Sequence, residues 1–186
     1  TFFSRAATTP STHASSMQFP ATNASLQTLS CGLPVIMQVD SNAPVVSAQC
    51  WISTGSQHEN QFVGSGLSHL LEHMVFKGTT SFTGAELATE VNAQGGQWNA
   101  YTSFDRTVYY IDGPSVSCDT FIRVLFELVF QPRFPVDDFE TERDVIRREI
   151  DMGKDDPDSV ASELLFRTSF QHDPRRHPVI GYRSYF

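Results

Sequence analysis

"GLSHLLEHMVFKGT", residues 66–79, places two histidines around a glutamate: His69, Glu72 and His73. On a helix, His69 and His73 stand four residues apart and share a face, so both imidazoles can point at one ion. Glu72, three residues after His69, lies near the same face. Zinc suits this set, because it accepts neutral imidazole nitrogen at about 2.0–2.1 Å and prefers four ligands. A catalytic zinc takes three protein ligands and leaves the fourth position to water. The helix supplies two. A third must come from elsewhere, and a carboxylate fits. A histidine pair with no other signal is as compatible with a solvated helix face. Order and context shift the balance: H-x-x-E-H, a glycine-rich approach, and a glutamate pair well downstream.

That pair lies in "DDFETERDVIRREIDMGKDD", residues 137–156. Glu142 and Glu149 are seven apart, two helical turns, and share a face. Val145, Ile146 and Ile150 mark the core side, while Glu140 and Asp144 point elsewhere. Spacing alone does not choose which glutamate faces the histidine helix.

Around these two helices the pattern is mixed. "SLQTLSCGLPVIMQVD", residues 25–40, reads as two short strands turning at Cys31-Gly32, and "PVVSAQCWIS", residues 44–53, as a third. "TGAELATEVNAQGG", residues 83–96, is a helix, opened by a Thr83/Glu86 capping box and stopped at Gly95-Gly96. "QWNAYTSFDRTVYYID", residues 97–112, is a strand or hairpin. Residues 115–130 carry Phe121, Val124, Leu125, Leu128 and Val129 at helical spacing. Two more helices are predicted over residues 137–153 and about 158–170, the acidic cluster Asp155, Asp156 and Asp158 capping the second at Pro157-Asp158. This is an α+β pattern: one mainly antiparallel sheet with helices packed on one face. The chain reaches "HPVIGYRSYF", residues 177–186, without an evident closing element, so the domain is expected to be incomplete at its C-terminal end.

The 186 residues suit one domain, and 40% hydrophobic content with 15 Phe allows a sizeable core. A formal charge of −8 argues against nucleic acid, whose phosphates need a basic surface. It is compatible with a basic peptide, though it equally serves solubility. No run approaches the roughly 18 apolar residues of a membrane span. The three cysteines, Cys31, Cys50 and Cys118, are dispersed and form neither a metal knuckle nor a disulfide framework. Residues 1–24 are rich in Ser, Thr and Ala and hold no acid, as in a flexible extension. His13, His58, His172 and His177 are expected to be solvated.

Four blocks in order extend the first observation: "GLSHLLEHMVFKGT", "GGQWNAYTSFDRTVYY", "ERDVIRREI" and "HPVIG". Together they make residues 25–186 resemble the N-terminal domain of the pitrilysin-type zinc peptidases, the inverzincins, whose H-x-x-E-H reverses the commoner H-E-x-x-H. The processing-peptidase branch, mitochondrial and bacterial, is the most similar. The resemblance implies a zinc endopeptidase that hydrolyses extended peptides or presequences with a zinc-bound water. His69 and His73 become ligands of one Zn2+, and Glu149, 76 residues after His73, the third. Glu72 becomes the general base, and Glu142 supports the site without binding metal. "WNAY" becomes the strand that pairs with substrate backbone, with Asn99 and Ala100 at its centre, a mode that reads backbone more than side chain. The implied partner is a second homologous half or partner subunit, and the implied compartment a bacterial cell or the mitochondrial matrix. Two other readings compete. Non-catalytic members of the family tend to lose the metal residues, whereas all stand here. A structural zinc site is closed by four ligands, often cysteines, and no cysteine lies near either motif.

Overall fold

The computed structural model describes residues 23–186 and divides the chain into two units, one ending at Ala43 and one running from Pro44 to Phe186. The expected flexible extension lies almost wholly outside the described residues.

In the first unit, β1 (Ala24–Thr28) and β2 (Pro34–Gln38) form an antiparallel hairpin. Its turn holds Gly32 at φ 89°, with the Gly32 N–H donating to the Leu29 carbonyl at 2.9 Å. That conformation strains any residue with a Cβ, which is why a glycine follows Cys31.

The second unit carries three more strands, β3 (Val45–Ile52), β4 (Gln97–Thr102) and β5 (Thr107–Pro114), in the order β3-β5-β4, all antiparallel. The strands therefore fall into two sheets rather than one. β4 and β5 are the two arms of the expected hairpin, with Ser103 N–H donating to the Arg106 carbonyl at 2.8 Å in its turn. Period-two alternation sends Ala48, Ile111 and Trp98, neighbours across the sheet, to one face. Among the described residues there are five α-helices: α1 (Leu67–Val75) and α2 (Gly84–Ala93) lie between β3 and β4, and α3 (Cys118–Phe130), α4 (Val136–Asp155) and α5 (Pro157–Ser169) follow β5. Phe121, Val124, Leu125 and Leu128 of α3 pack on Ala48, Tyr109 and Ile111, with Leu87 and Val91 of α2 closing the side. The architecture is α+β with helices on one sheet face.

Local signals explain the helix ends. Thr83 Oγ1 accepts from Glu86 N–H at 3.2 Å while Glu86 Oε2 accepts from Thr83 N–H at 2.7 Å, a reciprocal box that opens α2. At its other end Gly95 is left-handed, at φ 71°, and Gly96 N–H returns to the Val91 carbonyl at 2.9 Å. Asp156 accepts from Ser159 N–H at 3.1 Å and caps α5, with Pro157 in the first turn.

A second apolar cluster does the positioning that matters for the site. Leu70 and Met74 of α1 meet Ile146 and Ile150 of α4, and Ile180 and Phe186 close over them. The last ten residues thus fold back onto α1 instead of trailing away. His177 is half-buried there, hydrogen-bonded to Tyr182 Oη at 3.1 Å, so the expectation that it is solvated is corrected. No described helix is long and apolar enough to cross a membrane.

Ile146 is fully buried at this contact. Ile146→Ala is expected to cost about 2–5 kcal/mol, the usual range for opening a cavity in a packed core, read as a lower denaturation midpoint in urea. A change below about 0.5 kcal/mol, typical of surface positions, would show that the α1–α4 contact is not a true core.

Candidate metal centre

The N-terminus of α1 is fixed from three directions. Ser56 and Gln57 N–H groups donate to the Ser103 and Phe104 carbonyls, docking the preceding turn on the β4–β5 hairpin. Glu59, buried in that turn, accepts from Ser68 N–H at 2.8 Å, a long-range cap for a helix whose N-cap residue, Gly66, offers no side chain. Gly66 itself is left-handed, and a Cβ there would lie 2.2 Å from the Ile180 carbonyl oxygen.

From this anchored helix His69 and His73 project toward α4, their ring centroids 4.6 Å apart. Glu149 meets them: its Oε2 is 3.8 Å from His69 Nε2 and 3.6 Å from His73 Nε2. One ligand atom from each of the three lies within 4.8 Å of the others. A tetrahedral ion with bonds of roughly 2.0–2.1 Å needs ligand atoms about 3.3 Å apart. The spacing present therefore needs only a small closing movement, and two imidazoles with one carboxylate suit zinc. Burial, reinforced by His73, lowers His69 to about 4, which keeps its imidazole neutral and available as a donor.

Glu142 points at the other side of His73. Its Oε2 is 2.9 Å from His73 Nδ1, and its Oε1 is 2.5 Å from Lys77 Nζ. An ionised carboxylate only accepts, so His73 donates from Nδ1 and presents its Nε2 lone pair to Glu149's side. Burial alone would raise the Glu142 pKa, but the bonds from Lys77 and His73 outweigh it and hold the carboxyl below its usual range. The structure thus separates the two glutamates that spacing left equivalent: Glu149 beside both Nε2 atoms, Glu142 behind one ring.

Glu72 is buried, at 9% exposure, and accepts from Thr102 Oγ1 at 2.5 Å. Burial raises its pKa, with Glu149 adding to this, and the Thr102 hydroxyl and His73 only partly offset it. Thr102 reaches Glu72 because Trp98, Ala100 and Thr102 alternate onto the helix-facing side of β4. Asn99 faces the other way and is exposed, and its Oδ1 accepts from Ala100 N–H at 2.8 Å. β4 is an edge strand, paired on one side by β5 alone among the described residues.

All seven residues singled out in the sequence lie on α1, α4 or β4. Sequence reasoning missed Lys77, Thr102 and Glu59. Lys77 was findable, four residues after His73 and so on the same face. Thr102 was findable two residues beyond Ala100. Glu59 gave no signal, because a cap from nine residues away depends on the path of the loop.

Paired imidazoles, one carboxylate and an adjacent buried glutamate are the arrangement that zinc hydrolases use. The chain belongs to the insulinase family, peptidase family M16, whose pattern matches residues 34–182. It is 32% identical to the uncharacterized zinc protease YmxG of Bacillus subtilis over 81% of this chain and 36% of that protein. A probable mitochondrial-processing peptidase subunit beta of Arabidopsis thaliana is 34% identical over 83% of this chain and 29% of its own length. The crystal structure of a protease from Helicobacter pylori superposes with a TM-score of 0.81 at 28% identity, covering 88% of this chain and 40% of that one. The chain therefore spans well under half the length of these relatives.

Thr102→Val keeps the shape of the side chain and removes the hydroxyl. The lost bond is one that lowers the Glu72 pKa, so the carboxyl is expected to titrate higher in the variant, and Thr102→Ser should return it. Carboxyl-carbon NMR titration of the metal-free protein measures this. An unchanged Glu72 midpoint in Thr102→Val would dismiss the bond as energetically idle.

Proposed function

We propose that this chain carries the zinc-binding part of an endopeptidase, with His69, His73 and Glu149 holding one zinc ion and Glu72 acting as general base. The observation that carries the reading is the meeting of two Nε2 atoms and one carboxylate oxygen from helices far apart in sequence, with Glu142 orienting one ring from behind. Relatives named as zinc proteases support it.

Zinc in that position supplies Lewis acidity, polarising the scissile carbonyl and acidifying water. The protein's own groups do the rest. Thr102 holds one oxygen of Glu72, leaving the other to take a proton from the attacking water. The water oxygen bonds to the carbonyl carbon, the C–N bond breaks, and the amine leaves with the proton Glu72 had taken. Edge strand β4 would hold the peptide extended, adding it as a further strand around Asn99 and Ala100. Asn99 Oδ1 now covers the Ala100 N–H, so a docking peptide would displace that side chain. Recognition through backbone predicts broad specificity.

A non-catalytic role in the same family is the second reading, disfavoured by a complete donor set. Chain length bears on activity rather than on metal binding. Relatives of which this chain spans 29–40% supply further polypeptide, and a second homologous half is the partner this reading calls for.

Three outcomes test the proposal. His73→Ala is expected to lose most of its zinc by metal analysis, while Glu72→Gln keeps the metal and loses hydrolysis in the complete enzyme; unchanged zinc in the first or near wild-type cleavage in the second would sink the assignment. The zinc-loaded chain alone is expected to cleave peptides very slowly and to gain activity when a second half is supplied, because oriented binding is worth roughly 7–11 kcal/mol of barrier. Full turnover by the isolated chain would show that one domain positions substrate unaided.

A further inference from the structure

We propose that Lys77 is a positioning residue of the metal centre: its ammonium, seated on Glu142 Oε1, turns the other carboxylate oxygen onto His73 Nδ1 and so aims His73 Nε2 at the ion. The inference rests on the reading that His69, His73 and Glu149 hold zinc.

The chain of contacts is continuous. Lys77 Nζ lies 2.5 Å from Glu142 Oε1, and Glu142 Oε2 lies 2.9 Å from His73 Nδ1. Lys77 lies in the turn just past the Phe76 C-cap of α1, its N–H donating to the Met74 carbonyl at 3.1 Å, so the end of the helix that carries the ring also places the group that fixes the ring's acceptor. The Glu142 side chain is 7% exposed and cannot rely on water to fix its second oxygen. The arginines nearest it on α4 are engaged elsewhere: Arg143 pairs with Glu140 and Arg147 with Asp144. Lys77 is the cation paired with Glu142 among the described residues.

Charge count points the same way. Glu72, Glu142 and Glu149 place three carboxylates around a site meant for a dication. One negative charge remains unbalanced in a half-buried region, and Lys77 balances it. A neutral residue there would leave Glu142 with a free oxygen and a free rotation, and His73 without a fixed partner.

A lysine that merely staples α1 to α4 would also stabilise the fold, so the test must separate the two roles. Zinc affinity by chelator competition, on the chain as it stands, does so. Lys77→Met is expected to weaken zinc binding about tenfold, at the low end of the roughly 10–100-fold cost of losing an outer partner of a ligand. Lys77→Arg should restore most of the affinity. Deleting a positive charge near a dication would by Coulomb's law tighten binding, so a loss reports lost orientation rather than lost charge. In a Glu142→Gln background, Lys77→Met should bring no further weakening, because the group it acts through has already gone. Thermal unfolding of each metal-free variant checks that the fold is retained. Should Lys77→Met fail to fold, Lys77→Gln replaces it, with a smaller weakening expected. Wild-type or tighter affinity in the neutral variant, or equal weakening in both backgrounds, overturns the proposal. Failure of the underlying reading looks different: the unmodified chain would take up no zinc, or His73→Ala would keep it.

Discussion

Everything at the candidate site depends on one hydrophobic contact, Leu70 and Met74 of α1 against Ile146 and Ile150 of α4. The donors sit on the same faces as these residues or one position away. A side chain points where its helix face points, so packing the apolar stripes also brings His69 and His73 to Glu149. The contact is dispersion and burial, with no directional chemistry of its own. It nevertheless sets distances of a few ångströms between polar groups, because close-packed interiors tolerate little slack.

Around that contact the protein arranges charge by burial. Glu72 and Glu142 are both buried carboxylates, yet they are driven in opposite directions. Glu142 has a lysine and an imidazole as donors and stays ionised. Glu72 has a single hydroxyl donor and another carboxylate nearby, and its proton affinity rises. Two glutamates on facing helices thereby acquire distinct characters without any difference in residue type. The edge strand β4 ties this to the sheet, since Thr102 on its inner face touches Glu72 while only β5 pairs with it among the described residues.

Much of this was legible beforehand, and unevenly. Local chemistry was readable: the Thr83/Glu86 box and the Gly95-Gly96 stop are decided within a few residues and the structure forms both, and of the acidic cluster expected to cap the last helix at Pro157-Asp158 it is Asp156 that caps it, one residue earlier. The α+β pattern followed from strand and helix periodicities. The division into two sheets was not readable, because strand pairing is a long-range choice that period-two patterning does not encode. The site split along the same line. His69 and His73 announce themselves by spacing. Glu142 and Glu149 are equivalent by spacing and differ only in three dimensions, by which side of His73 each meets, so a family resemblance was needed to tell them apart. Glu59 and the His177–Tyr182 contact depend on the path of a loop and on the last ten residues folding back, and neither carries a periodic signal.

The donors also stand far apart in the chain, His73 and Glu149 being separated by 76 positions. Ribosomes add about 5–20 residues per second, so the two imidazoles emerge several seconds before the carboxylate that joins them. Through that interval the nascent chain carries a helix with two histidines and no completed cage. α4 must also be made and docked before Ile146 and Ile150 bring Glu149 into place. The distance along the polypeptide thus acts as a timer: the three candidate ligands cannot come together before most of the domain that encloses them has been made.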